Sequence, residues 1–247
     1  MKAILYIGHG TRSKKGAEEV KAFIDRVMQR IDVPLQEISF LELSEPLIEE
    51  GFKRCVERGA AEITVVPLFL LAAGHIKQDI PLALSVLEAR YPEIQVSVED
   101  PFGVQEGILD AIADLVRETA GKLVPEDRLL IVGRGSSDRG IQVNFSEIVG
   151  GIRDRLGLEH VSVCFLAAAE PKLWEGLETI TAGADGRVIV VPYLLFSGLL
   201  LSEVNQEVRK RQKLGQRILY TGPLSSHPVI EDIVIEKATK MEVSLVS

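Results

Sequence analysis

Cysteine is scarce in this chain of 247 residues: Cys55 and Cys164 are the only two, and they form no CxxC pair. That excludes a disulfide framework, a cysteine-built structural zinc site and a cysteine-ligated iron–sulfur cluster. No run of about 18 apolar residues occurs, so no membrane-spanning helix is expected. The opening Met1-Lys-Ala-Ile-Leu-Tyr-Ile7 is too short for a signal peptide and leads straight into a glycine turn. Positive charge is in deficit: 28 Lys and Arg against 36 Asp and Glu leave a formal net charge of −8. Nucleic acid and anionic membrane are thereby excluded as general partners, and an anionic small ligand would need a local basic patch. No low-complexity segment is present. These absences point to the cytoplasm.

What is present is a repeat. Ile4-Leu-Tyr-Ile-Gly-His-Gly-Thr11 returns as Leu129-Leu-Ile-Val-Gly-Arg-Gly-Ser136. Phe40-Leu-Glu-Leu-Ser-Glu-Pro46 returns as Phe165-Leu-Ala-Ala-Ala-Glu-Pro171, and Val65-Val-Pro-Leu-Phe-Leu70 as Val190-Val-Pro-Tyr-Leu-Leu195. The offset is 125 each time (134 − 9, 165 − 40, 192 − 67). One offset across three separated motifs means a duplicated fold unit. The duplication is also an internal control. His9, Glu42 and His75 face Arg134, Ala167 and Leu200, whereas Gly8, Gly10, Glu45, Pro46 and Pro67 are kept as Gly133, Gly135, Glu170, Pro171 and Pro192. The three residues able to bind a metal or move a proton were lost together.

Short apolar runs alternate with longer amphipathic ones. The pattern predicts strands at 3–8, 36–41, 62–68 and 95–99 and helices at 13–30, 46–58, 76–90 and 104–121. The second copy predicts strands near 128–133, 160–166, 187–194 and 216–220, with helices near 139–156, 171–182, 199–213 and 228–242. Such alternation implies right-handed βαβ units and an α/β fold of two tandem lobes, each a parallel sheet flanked by helices. Wholly apolar strands such as Val188-Ile-Val-Val191 fit a sheet covered on both faces. Lys122-Leu-Val-Pro-Glu-Asp127 interrupts helix and sets the boundary between 1–122 and 123–247.

His9 follows the first strand, Glu42 the second and His75 the third, so all three come to the carboxyl edge of one sheet, where open α/β sheets bind ligands. Two imidazoles and a carboxylate form a borderline donor set suited to Fe(II), Co(II), Ni(II) or Zn(II), with coordination positions left open. Open positions mean exchange or catalysis. Asp79, four residues past His75, can orient the imidazole or stand solvated. The Glu45-Pro46 step reads as a helix start with Pro at the first helical position, and Glu45 can still reach the site. Arg134 either holds a ligand carboxylate or pairs with Asp138 or another local acid. Trp174 falls on a helix face and is expected in the core or at a domain interface; His160 and His227 read as surface or structural. A phosphoryl-transfer reading of His9 is weak, because Gly8 stands where a histidine phosphatase carries Arg.

Together, Gly8-His-Gly-Thr11, Phe40-Leu-Glu-Leu-Ser-Glu-Pro46, Val65-Val-Pro-Leu-Phe-Leu70 with His75, and Gly133-Arg-Gly-Ser-Ser-Asp138 resemble the class II chelatases. The likeness is to their two-repeat sirohydrochlorin branch, within the broader cobalt-chelatase family, and covers essentially the whole chain. It implies two flavodoxin-like or periplasmic-binding-protein-like lobes, with 1–122 carrying the site and 123–247 completing a cleft. The implied reaction inserts a divalent metal into the anionic tetrapyrrole sirohydrochlorin with release of two protons, on the way to sirohaem. A cobalt chelatase of cobalamin synthesis and a non-catalytic metal-binding protein are the alternatives. His9, Glu42 and His75 match the family's metal positions, with His9 and His75 as proton acceptors. The stretch Leu70, Leu71, Ala72, Ala73 and Gly74 matches its substrate-contacting segment, and Glu45 and Arg134 are added to that set. No permanently bound cofactor is implied; Fe2+, Co2+ or Ni2+ is substrate. A tail without the His-rich or Cys-containing segments of cobalt-type relatives favours iron, and the fused repeat implies a monomer.

Overall fold

A computed structural model describes residues 1–240, less the side chains of His75 and Ile76. The first copy forms β1 (Lys2–Gly8), α1 (Lys14–Gln29), β2 (Leu35–Phe40), α2 (Ile48–Glu57), β3 (Glu62–Pro67), a π-helical turn (His75–Asp79), α3 (Ile80–Arg90), β4 (Gln95–Val98) and α4 (Glu106–Ala120). The second forms β5 (Arg128–Gly133), α5 (Arg139–Leu156), β6 (Val161–Phe165), α6 (Leu173–Thr181), β7 (Val188–Pro192), α7 (Leu199–Lys213), β8 (Ile218–Tyr220), a 3-10 turn (Leu224–Ser226) and α8 (Val229–Thr239). The expected elements are all there, shortened by one or two residues at most ends; 241–242 of the last expected helix lie outside the described residues.

Each copy builds a four-stranded sheet, β2-β1-β3-β4 and β6-β5-β7-β8, with every pairing parallel. The strand order reverses between β1 and β3, and again between β5 and β7, creating in each sheet the switch point beside which α/β folds place their ligands. Alternation along β1 sends Ala3, Leu5 and Ile7 into a cluster with Ile48, Phe52 and Cys55 of α2 and with Ile80, Leu84 and Leu87 of α3. Ile4 and Tyr6 take the opposite face and are as completely buried. Helix α1 owes its position to Val20, Phe23, Ile24 and Val27, which recur at helical spacing and are buried, and its start to Ser13, whose hydroxyl accepts from Gly16 N–H at 3.2 Å.

The copies and the packed units do not coincide. The boundary at 122/123 separates the two sequence copies, but packing gathers Met1–Gly103 with helix α8 from Ile230, and Val104–Val229 separately. The last helix of each copy is therefore exchanged. Helix α8 joins the first unit through Arg26 and Arg30, which pair with Glu231 at 2.7 and 3.5 Å. Helix α4 joins the second, where Arg155 pairs with Asp110 at 2.6 Å and with Glu106. Arg30 and Arg155 stand 125 residues apart, as do Glu106 and Glu231. The same ion pair thus fixes the exchanged helix in both units.

Two expectations are corrected. Pro46 and Pro171 do not open their helices: Glu45–Pro46 and Glu170–Pro171 are cis peptides, and α2 and α6 begin two residues later. Trp174 is not in the core; it lies in the first turn of α6 with 61% of its surface exposed. His160 is exposed, and His227 accepts from Val229 N–H at 3.3 Å, in keeping with structural duty. Among the described residues no helix is long and apolar enough to cross a membrane.

Candidate functional site

The edge beyond β1 is built by backbone. The parallel ladder pairs Gly8 with Phe40 and continues past both strands: Leu41 N–H donates to Gly8 O at 2.9 Å, and Glu42 N–H to His9 O at 3.1 Å. His9 and Glu42 are thereby locked side by side although they lie far apart in sequence. Gly10 permits this approach. It has φ +93°, and a Cβ there would stand 1.7 Å from the Glu42 carbonyl oxygen. Gly135 repeats the arrangement with φ +88° and a virtual Cβ 1.9 Å from Ala167 O. The loops were kept in both copies and only the side chains differ. Leu43 and Ala168, with positive φ of 62° and 48°, mark the same bend in each.

His9 Nε2 lies 3.7 Å from Glu42 Oε1, with 31% and 50% of the two side chains exposed. Two donors each about 2.1 Å from a shared ion can stand no more than about 4.2 Å apart, so the pair can hold one cation. His9 Nδ1 is 3.3 Å from Gly10 O. In the tautomer that carries its proton on Nδ1 and donates to that carbonyl, the Nε2 lone pair is left facing Glu42. Phe69, in the loop after β3, packs its ring 6.2 Å from the His9 imidazole.

The third expected ligand comes from an irregular helix. His75 opens the π-helical turn, and its side chain lies outside the described residues. Among the described residues no third His, Cys, Asp or Glu completes a metal-binding group with His9 and Glu42. The irregularity belongs to the first copy alone. Its buried positions Ile80, Leu84 and Leu87 match Val204, Val208 and Arg211 at an offset of 124 (204 − 80), one less than in the strands. The π turn therefore holds one extra residue, and α7 runs without it from Leu199 to Lys213. Pro81 gives the cause: it cannot donate to a carbonyl one turn back and crowds that turn, whereas α7 contains no proline. Single π turns inside helices recur at functional sites.

The remaining candidates are placed as follows. Leu70, Leu71, Ala72 and Ala73 are half-buried and Gly74 is exposed, in a loop tethered where Phe102 N–H donates to Phe69 O and Gly103 N–H to Leu70 O. Glu45 is exposed on the loop that carries Glu42. Asp79 is exposed in the π turn. Arg134 is exposed, and the Asp138 carboxylate caps α5, accepting from Gly140 N–H at 2.9 Å. Among the described residues Arg134 makes no ion pair. Ser44, Phe69 and Pro81 carry parts of the site that the motif reading missed. A comparison of the two copies for lost hydroxyls and added prolines would have found Ser44 and Pro81.

Comparison with known proteins places this architecture. A CbiX family model matches residues 3–119 and again 128–241. The sirohydrochlorin ferrochelatase of Priestia megaterium is 40% identical over 95% of this chain and 88% of its own length. The Bacillus subtilis sirohydrochlorin ferrochelatase is 36% identical over 95% and 90%. Among solved structures, SirB from Bacillus subtilis with Fe3+ superposes with a TM-score of 0.86 at 35% identity, covering 98% of this chain and 97% of that one.

Proposed function

The chain belongs to the CbiX family, and on that premise we propose that it inserts a divalent metal, Fe(II) foremost, into sirohydrochlorin. One macrocycle and one ion give the metallated product and two protons. The observation that carries this reading is the His9–Glu42 pair, 3.7 Å apart at the carboxyl edge of the first sheet and replaced by Arg134 and Ala167 in the second. His9, Glu42 and His75 hold the incoming ion weakly. As each of the two protonated ring nitrogens loses its proton to a neutral imidazole, His9 or His75, the electron pair of that N–H bond passes to the metal; an imidazole's unperturbed pKa of about 6.5 suits both accepting and releasing the proton. The loop Leu70–Gly74 and Glu45 line the macrocycle, and Arg134 binds one of its carboxylates. In this reading 1–122 is the working copy and 123–247 its retired partner, and the protein is a cytoplasmic monomer.

A cobalt reading has its own support. A Priestia megaterium sirohydrochlorin cobaltochelatase is 28% identical over 96% of this chain, and SirB has also been solved in complex with cobalt, with a TM-score of 0.81. One assay judges both metals. Purified protein is mixed with sirohydrochlorin and Fe(II) or Co(II) without oxygen, and the tetrapyrrole absorption is followed for wild type, His9→Ala and His75→Ala. Insertion faster than the spontaneous rate and lost in both variants is the expected result. No acceleration in the wild type would leave a metal-binding protein as the better description.

A further inference from the structure

We infer that Ser44 is a positioning residue, a hydroxyl clamp that sets the separation of His9 and Glu42. The inference rests on reading that pair as a metal site. Ser44 Oγ accepts from Thr11 N–H at 3.0 Å and donates to Thr11 O at 3.0 Å. One hydroxyl thus grips both backbone groups of one residue on the neighbouring loop, two positions beyond His9. On its own loop Ser44 N–H donates to Glu42 O at 2.8 Å, across Leu43 at φ 62°. That three-residue bend is a sparsely populated conformation, which persists where its surroundings hold it. Ser44 therefore ties the backbone that carries Glu42 to the backbone that carries His9.

The second copy supplies the control. There Ser136 stands for Thr11 and Ala169 for Ser44. The shared features survive: the Gly-x-Gly turn, the backbone bond from Ala167 N–H to Arg134 O at 2.8 Å, and the hydroxyl of Ser136 accepting from Asp138 N–H as Thr11 Oγ1 accepts from Ser13 N–H. The loop keeps its path without the clamp, so the fold does not need the hydroxyl. It was lost in the copy that lost the donor atoms. A merely structural tether has no reason to track the ligands; a group that fixes the distance between them has.

The test uses the full chain as wild type, Ser44→Ala, Ser44→Cys and Ser44→Thr. Cysteine keeps the volume with a poor hydrogen-bonding group, and threonine keeps the hydroxyl. Each is titrated with Co(II) without oxygen, following the visible d–d absorption, and melted in parallel. Removing a group that orients metal ligands costs about 10-fold or more in affinity. The expected result is that loss in Ser44→Ala and Ser44→Cys, with affinity recovered in Ser44→Thr. In turnover with sirohydrochlorin, Ser44→Ala should raise the KM for metal and leave that for the macrocycle in place. Wild-type Co(II) affinity in Ser44→Ala, or no recovery in Ser44→Thr, would overturn the inference. Should Ser44→Ala fail to fold, cysteine against threonine carries the comparison. A wild type that binds Co(II) but does not speed insertion would sink the chelatase reading and leave Ser44 judged by the titration. One that binds no Co(II) would remove both.

Discussion

Gly10 and Gly135 allow structural and functional cost to be separated within one molecule. Alanine at either position meets the same two penalties. A β-carbon at φ near +90° costs about 1–2 kcal/mol, and the new atom would stand 1.7 Å from Glu42 O or 1.9 Å from Ala167 O, both backbone atoms that cannot swing aside. Overpacking of that kind costs about 1–3 kcal/mol. Together these make roughly 2–5 kcal/mol, and at about 2–4 °C per kcal/mol for a chain of this size the melting temperature falls by roughly 4–20 °C. The two variants should melt alike. They should not bind metal alike: relief of the Gly10 clash pushes Glu42 away from His9, whereas the Gly135 clash moves Ala167 from Arg134. Thermal melts and Co(II) titrations of both variants form the assay. Gly10→Ala is expected to lose Co(II) affinity by about 10-fold or more, and Gly135→Ala to keep it. An equal loss in both, or wild-type melting in either, would refute the reasoning.

Other consequences are as direct. The Ser39 hydroxyl is fully buried and has no hydrogen-bond partner among the described residues, at the position the second copy fills with Cys164, so Ser39→Ala should leave stability unchanged or raise it by about 1 kcal/mol in urea unfolding. A clear loss would mean the hydroxyl has a partner. Burial alone raises the Asp127 carboxyl, but hydrogen bonds from the Arg187 side chain and from Val124 and Arg187 N–H outweigh it and hold the group below the ordinary carboxylate range. A folded-state pKa below the unfolded value stabilises above about pH 3.9 and is lost as pH falls through the folded value. Asp127→Asn should therefore cost about 1–3 kcal/mol at pH 7, and the gap from wild type should close below about pH 4; a gap independent of pH would exclude this origin. Burial pushes the thiols of Cys55 and Cys164 up to about 12, so neither should react with a thiol reagent at pH 8 until the protein unfolds. Stoichiometric labelling of the native protein would contradict that.

Much of this was legible in the residues, for identifiable reasons. Strand ends and the edge that gathers His9 and Glu42 follow from period and repeat, which depend on local chemistry alone. The Glu45–Pro46 step misleads because a proline at a helix start and a cis turn ahead of one share the same letters. The π turn was readable from Pro81 and from the one-residue slip between Ile80 and Val204. The helix exchange was not. The buried residues of α4, among them Ile108, Leu109, Ile112 and Val116, say that the helix is covered, but apolar periodicity cannot name the sheet that covers it.

If 123–247 is the retired copy of the proposed reading, that exchange explains why it is kept at full length. The first unit holds the His9–Glu42 pair, yet its helix complement is finished by α8, from the second copy. Residues 1–122 on their own contain α4 in its place. Because Glu106 and Glu231 are equivalent, and Arg30 and Arg155 likewise, α4 of one fragment can meet Arg30 of another as α8 does here. The fragment 1–122 is therefore expected to be unstable as a monomer and to form a homodimer by exchanging α4, with two His9–Glu42 pairs. Adding 123–247 should convert it to a one-to-one complex, since that half brings the native α8. Sedimentation and native mass measurement distinguish these species. Glu106→Lys should weaken the fragment dimer, and combining it with Arg30→Glu should restore it. A fragment that is monomeric, melts cooperatively and binds Co(II) as the whole chain does would show that the second copy contributes nothing to the first unit.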